Sequence, residues 1–228
     1  MGSEGWIRIA PFALFMGFIG VEEGARFLTE RGLLPWDEGE LLYLYPVKAA
    51  LVGLCLVLLW RRYTEIRPTD LTNWRHTALS LLAGMLIFIL WINMDWGFAT
   101  LGEPQGFDPG RIPEGAPRTA MIAARLAGAV LVVPVMEELF WRSFLLRYII
   151  EPDFIKVAIG RFTWFSFLAT TVLFGLEHNH YLAGMMAGAF FNLLLYRTRS
   201  IAQCILSHAV ANLALGIYVL QTGEWPFW

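Results

Sequence analysis

Three short stretches combine side chains that could do acid–base chemistry with apolar surroundings. The first, VPVMEELFWRSFLLR (133–147), holds Glu137, Glu138 and Arg142. The second, LFGLEHNHY (173–181), places Phe174 and His178 four residues apart, with Glu177 and His180 at the segment end. The third, ILSHAVANL (205–213), puts His208 and Asn212 at the same spacing. Residues four apart share a helical face, so His208 and Asn212 point together. Adjacent residues diverge by about 100°, so Glu137 and Glu138 cannot serve one purpose by pointing the same way. Glu138 precedes Arg142 by four, the polarity of an intrahelical ion pair, which leaves Glu137 to face a neighbouring helix. Pro134, one turn upstream, removes a backbone donor and kinks the chain just before the pair.

A carboxylate and an imidazole facing one water can share its deprotonation, and desolvation holds the glutamate near its useful basicity. A second histidine and an asparagine on one face supply two donors for a tetrahedral oxyanion. No covalent nucleophile has support: Cys55 and Cys204 lie in apolar runs as small hydrophobes, and Ser143 and Ser207 stand alone. Attack of water on an amide fits this set best. Glu137, His178 and His208 could instead ligate zinc with an open fourth position, although there is no H-E-x-x-H spacing. Metal-independent chemistry is favoured, with no cofactor required. Taken singly, each polar group is also explained as hydrogen-bonding glue between helices, worth ~0.6–2 kcal/mol. Glu177 and His180 read as solvated interfacial groups, and Lys48 and Arg125 as snorkelling or paired.

The elements that must carry these groups are membrane helices. The 228 residues are 57% hydrophobic and only 16% charged, with a mean hydropathy of +0.55. That charge deficit, against ~25% in soluble domains, places the chain in lipid, and with no basic run in the sequence no nucleic-acid partner is expected. Seven apolar segments approach the ~20 residues needed to cross the hydrocarbon core: about 6–22, 41–60, 77–96, 119–146, 161–178, 181–197 and 200–221. An eighth, broken or re-entrant piece around 145–160 stays open. Gly184 and Gly188 form a small-residue face for close packing. The fold class is therefore all-α, a polytopic membrane protein of about seven to eight transmembrane helices in one domain, 1–228. Within it lie N-terminal helices (1–96), a Gly/Pro-rich extramembrane loop (97–118) and a core (119–221). No cleavable leader is evident, because Arg8 and Pro11 open the first run without a small-residue site.

With the N-terminus in the cytoplasm, alternation puts Arg8, Arg61, Arg62, Arg67, Arg75, Arg142, Arg147, Lys156, Arg161, Arg197 and Arg199 inside. Only Arg26, Arg31, Arg111 and Arg118 then fall outside, an asymmetry that favours N-in and C-out. Straight helices set His178 near an outer end and His208 about eight residues from an inner one, ~12 Å deep. The two meet only through tilt, a kink or a re-entrant piece.

Glu137-Glu138-x-x-x-Arg142, Phe174-x-x-x-His178 and His208-x-x-x-Asn212 resemble, in order and spacing, the CAAX protease and bacteriocin-processing family. That family includes the type II CAAX prenyl endopeptidases. The resemblance covers about residues 120–220. It implies an intramembrane endopeptidase with a polar interior cavity, in a bacterial inner (cytoplasmic) membrane, acting on a membrane-associated protein or peptide. On this likeness Glu137 and His178 activate water, His208 and Asn212 stabilise the oxyanion, and Glu138 and Arg142 support them. The family core is usually described with eight helices rather than seven. The pattern is also similar to a subgroup associated with exosortase. Because the family includes bacteriocin-immunity proteins, the alternative is a non-proteolytic immunity or scaffold protein using the same polar network. A transporter or proton relay lacks the repeated halves expected of one.

Overall fold

The computed structural model describes residues 2–102 and 106–228, and is helical throughout its regular part with no strand among them. Seven helices carry the chain: α1 (Ser3–Glu30), α2 (Glu38–Arg62), α3 (Trp74–Trp91), α4 (Ala116–Ile150), α5 (Trp164–Leu176), α6 (Tyr181–Thr198) and α7 (Ile201–Thr222). Five of them, α1 to α4 and α7, are long and apolar enough to cross a membrane. Large apolar side chains such as Leu58, Leu82, Leu131 and Phe165 cover the outside. With no water to satisfy backbone groups in hydrocarbon, helices are the spanning structure such a composition permits. The chain is an all-α polytopic membrane protein.

The ends of these helices follow local chemistry. Asp37 and Glu40 cap the start of α2 reciprocally. Thr163 and Ser200 accept the backbone N–H groups of Ser166 and Gln203 at the starts of α5 and α7. Arg199 turns α6 into α7 within two residues by taking φ +52°, a conformation normally left to glycine.

The segment around 145–160 does not form an eighth span. α4 continues to Ile150, and residues 151–163 form a connection holding only the short turn Phe154–Lys156. Helix α5 begins at Trp164 and is only 13 residues long, shorter than the 161–178 segment expected for it. The 77–96 segment is helical only over Trp74–Trp91. The loop at 97–118 is described except for 103–105, which lie outside the described residues. Its Leu101 N–H donates to Asn179 O at 2.7 Å, so it straps the end of α5. The small-residue face of α6 packs on α5: a Cβ at Gly188 would lie 3.2 Å from the Phe174 ring. Leu146, Leu194, Leu195, Ile201 and Cys204 form one buried layer that sets α4, α6 and α7 level near the Ile150 end.

Candidate active site

That layer fixes depths. Glu138 stands eight residues above Leu146 and His208 seven above Ile201, each about 10–12 Å of rise. The Glu138 carboxylate accepts from Arg142 Nη1 at 3.2 Å and from His208 Nδ1 at 3.0 Å. Arg142 also reaches Gly188 O at 3.4 Å and stacks its guanidinium 4.4 Å from the Phe174 centroid. Glu138 and Arg142 are 0% and 1% exposed. The ion pair expected from i, i+4 spacing is present, and the same carboxylate orients a histidine 70 residues away. An ionised carboxylate only accepts, so the Nδ1 of His208 carries the proton. Its Nε2 then turns toward Glu137, 3.9 Å from Oε2.

His178 comes to this level by folding back. Its Nδ1 donates to the Phe174 carbonyl one turn earlier, at 2.8 Å, in the direction helical side chains lean. Phe174 lies 4.9 Å from the His178 ring and 6.4 Å from that of His208, so it touches on both imidazoles. Trp91 meets His178 edge-on at 5.3 Å, and Phe191 stacks on His208 at 4.8 Å. The depth conflict between the two histidines is thus resolved without a re-entrant helix. Helix α5 stops after 13 residues, and the His178 side chain just past its end recoils by one turn onto the Phe174 carbonyl.

Asn212 is fixed by a fault in α4. Residues 128–132 and 139–145 take the wider π-helical turn on either side of Val133–Glu138. Val133 N–H donates back five residues to Gly128 O. In that register the Ala129 carbonyl would await the N–H of Pro134, which has none. Asn212 Nδ2 takes the place, donating to Ala129 O at 2.8 Å. An amide nitrogen has two hydrogens, so one remains for a ligand. Pro134 therefore acts less as a kink than as the reason a carbonyl is open to α7.

Glu137, His178, His208 and Asn212 all line one cavity of about 440 Å³. Glu177 lines it too and accepts from Trp141 Nε1 at 3.0 Å, which corrects its reading as a solvated interfacial group. His180 is likewise not solvated: it is buried, with Nδ1 3.2 Å from Thr100 Oγ1 and its ring against Phe227. Outside the spans, burial lowers the pKa of His180 below its ordinary value, the Asp95 charge opposing that shift. The signal for Glu177 was available: a buried indole N–H at Trp141 requires an acceptor. Lys48 is paired as expected, with Glu22 Oε2 at 2.8 Å. Arg125 is not.

Glu137, His178 and His208 are the residues the zinc alternative would use. Among the described residues no group of three or more His, Cys, Asp or Glu side chains is placed to hold a metal ion. His208 Nε2 and Glu137 Oε2 are 3.9 Å apart, a little wider than the ~3.3–3.6 Å set by tetrahedral zinc bonds of ~2.0–2.2 Å.

The family model for Type II CAAX prenyl endopeptidase Rce1-like matches residues 119–214. Over that segment the chain is similar to the CAAX protease family. It runs from α4 into α7 and carries every motif residue from Glu137 to Asn212. The family is one of proteases, which supports a peptidase working in a membrane on a protein or peptide. No curated protein and no solved structure matches the chain.

Proposed function

We propose that the protein is an intramembrane endopeptidase that hydrolyses a peptide bond of a membrane-associated protein or peptide. The observation that supports this most is the meeting of Glu137, His178, His208 and Asn212, from three separate sequence motifs, on one cavity walled by apolar helices. Water held by Glu137 and His178 gives a proton to the Glu137 carboxylate as its oxygen attacks the amide carbon. The His178 Nε2 is a lone-pair acceptor while Nδ1 serves Phe174 O, so it can hold the second water hydrogen. The carbonyl oxygen becomes an oxyanion facing the spare Asn212 N–H and His208. His208, its Nδ1 held by the Glu138 carboxylate, serves the oxyanion from Nε2 when it enters the reaction with both ring nitrogens protonated, and it keeps that proton throughout. Glu137 then returns its proton to the amide nitrogen, and the C–N bond breaks. The Lys/Arg asymmetry of the sequence supports a cytoplasmic N-terminus, and the family resemblance supports a bacterial inner membrane.

The test is cleavage of a co-expressed membrane substrate by wild type and by Glu137→Ala, His178→Ala and His208→Ala. Loss of ~10²–10⁴ in rate is expected for the first two. Undiminished cleavage in these variants overturns the assignment. Full activity of the purified protein in a strong chelator is the expected result for water activated by Glu137 and His178. Variants that insert, never cleave and still retain the biological phenotype point to an immunity or scaffold protein instead.

A further inference from the structure

Arg125 lies on the same face of α4 as Glu137. Arg125, Ala129, Val133 and Glu137 recur every four residues, and all four line the same cavity. Twelve residues of helix set the backbone positions of Arg125 and Glu137 about 18 Å apart along α4. The floor between them is small and apolar.

The guanidinium of Arg125 sits in an aromatic box, 4.3 Å from the Tyr45 centroid, 5.2 Å from Phe107 and 5.8 Å from Trp228. Tyr45 reaches it because Gly128 lets α2 approach: a Cβ there would meet Ala49 Cβ at 3.1 Å. The box holds the cation by its flat faces and leaves its edge unused. Arg125 Nε is buried without a hydrogen-bond partner, and no carboxylate among the described residues pairs with the side chain. Of the carboxylates near this end of the cavity, Glu22 holds Lys48, Glu38 holds Arg26, Glu23 is exposed, and Trp228 O accepts from the Phe107 N–H at 3.1 Å. A guanidinium in a low-dielectric cavity calls for an anion, and its planar fork matches a carboxylate in two parallel hydrogen bonds.

We propose that Arg125 anchors a carboxylate of the peptide substrate, about five residues of extended chain from the bond presented to Glu137. The spacing follows from ~18 Å at 3.3–3.6 Å per residue. This rests on the peptidase reading above. Two carboxylates have this chemistry, an acidic side chain and a free chain terminus.

The probe is a set of quenched-fluorescence decapeptides of Ala and Leu with one Glu walked through the sequence and the terminus amidated. A second set has Gln throughout and a free terminus at varied distance. With the full chain in phosphatidylcholine nanodiscs, cuts located by mass spectrometry should cluster about five residues from the carboxylate in at least one set. The set that carries the preference identifies the source. Arg125→Gln should abolish the clustering and Arg125→Lys should keep part of it. An unchanged cut pattern in Arg125→Gln overturns the proposal.

Binding separates this from the peptidase reading. In a Glu137→Gln background, tryptophan emission titrated with the same peptides should show about tenfold tighter binding of the carboxylate-bearing peptide than of its neutral counterpart. Arg125→Gln should remove that ratio. Equal affinities with Arg125 present overturn the anchor. A preserved ratio in a wild-type chain that never cleaves overturns only the peptidase reading.

Discussion

Two buried charge networks hang on α4, and they differ in what they leave unused. Near the Ile150 end, Arg8 grips Glu65 with two hydrogen bonds of 2.7 and 2.8 Å and gives its third nitrogen to Glu4. Ser143 donates to Glu65 and accepts from Arg8 at 3.2 Å and Arg147 at 3.0 Å. Arg147 gives its other two nitrogens to Ser143 O at 2.5 Å and Val157 O at 3.1 Å. Every guanidinium nitrogen of Arg8 and Arg147 has a partner. One to two turns up the helix, the Glu138–Arg142–His208 network is as deeply buried but incomplete. Glu137 Oε2, Glu138 Oε2 and Arg142 Nε have no partner among the described residues. Buried polar groups without partners are rare and costly. A closed network fastens α1 and the α2–α3 connection to α4. An open one beside a cavity keeps bonding capacity for a ligand.

The sharpest way to break this comparison is Glu138→Ala. It strands the Arg142 cation in the interior and should cost ~3–5 kcal/mol of stability, read by unfolding in detergent. A stable variant would mean that the open network is not holding the core. Asn212→Ala comes next. Cleavage should fall ~10²-fold as an oxyanion donor is lost, with a ~1 kcal/mol decrease in stability because Ala129 O loses its donor. A purely structural Asn212 would lower stability without changing the rate per folded molecule.

Glu65→Gln tests the closed network and should cost ~1–3 kcal/mol while leaving the rate per folded molecule unchanged. Burial alone would push the Glu65 carboxyl up, but its hydrogen bonds from Arg8 and Ser143 more than offset this and hold it below its ordinary value of 4.5. Its folded pKa lies under the unfolded one. The stability it contributes is therefore complete above the unfolded value and disappears as pH falls through the folded value. Melting of wild type should steepen its decline on acidification below about pH 4.5, and Glu65→Gln should lack that component. Ser143→Ala is the mildest change, ~1 kcal/mol in the same melts. A rate effect from either substitution would blur the distinction between the two networks.

The membrane class, the helices and the Glu138–Arg142 pair were legible in the sequence because each depends on neighbours within a few residues. Hydropathy sums over a segment, and i, i+4 pairing needs one turn of helix. The Gly188 face against Phe174 was equally readable, as a small-residue spacing. Glu177 and His180 were misread, because position near a segment end says nothing about what folds over it. The strap at Leu101 and the Trp225–Phe227 turn cover that end.

By itself the sequence determined that this chain resides in lipid and which polar groups enter the interior with it. Only the tertiary structure decided which of them meet. The 13-residue α5, the recoil of His178 onto Phe174, and the Ala129 carbonyl left by Pro134 to Asn212 all depend on the relative heights of helices. Those heights are set by long-range packing, such as the Leu146–Ile201 layer, and not by local spacing. The same holds for Arg125, which reads as a snorkelling cation until three aromatic rings from distant segments close around it and turn its unpaired edge into the cavity.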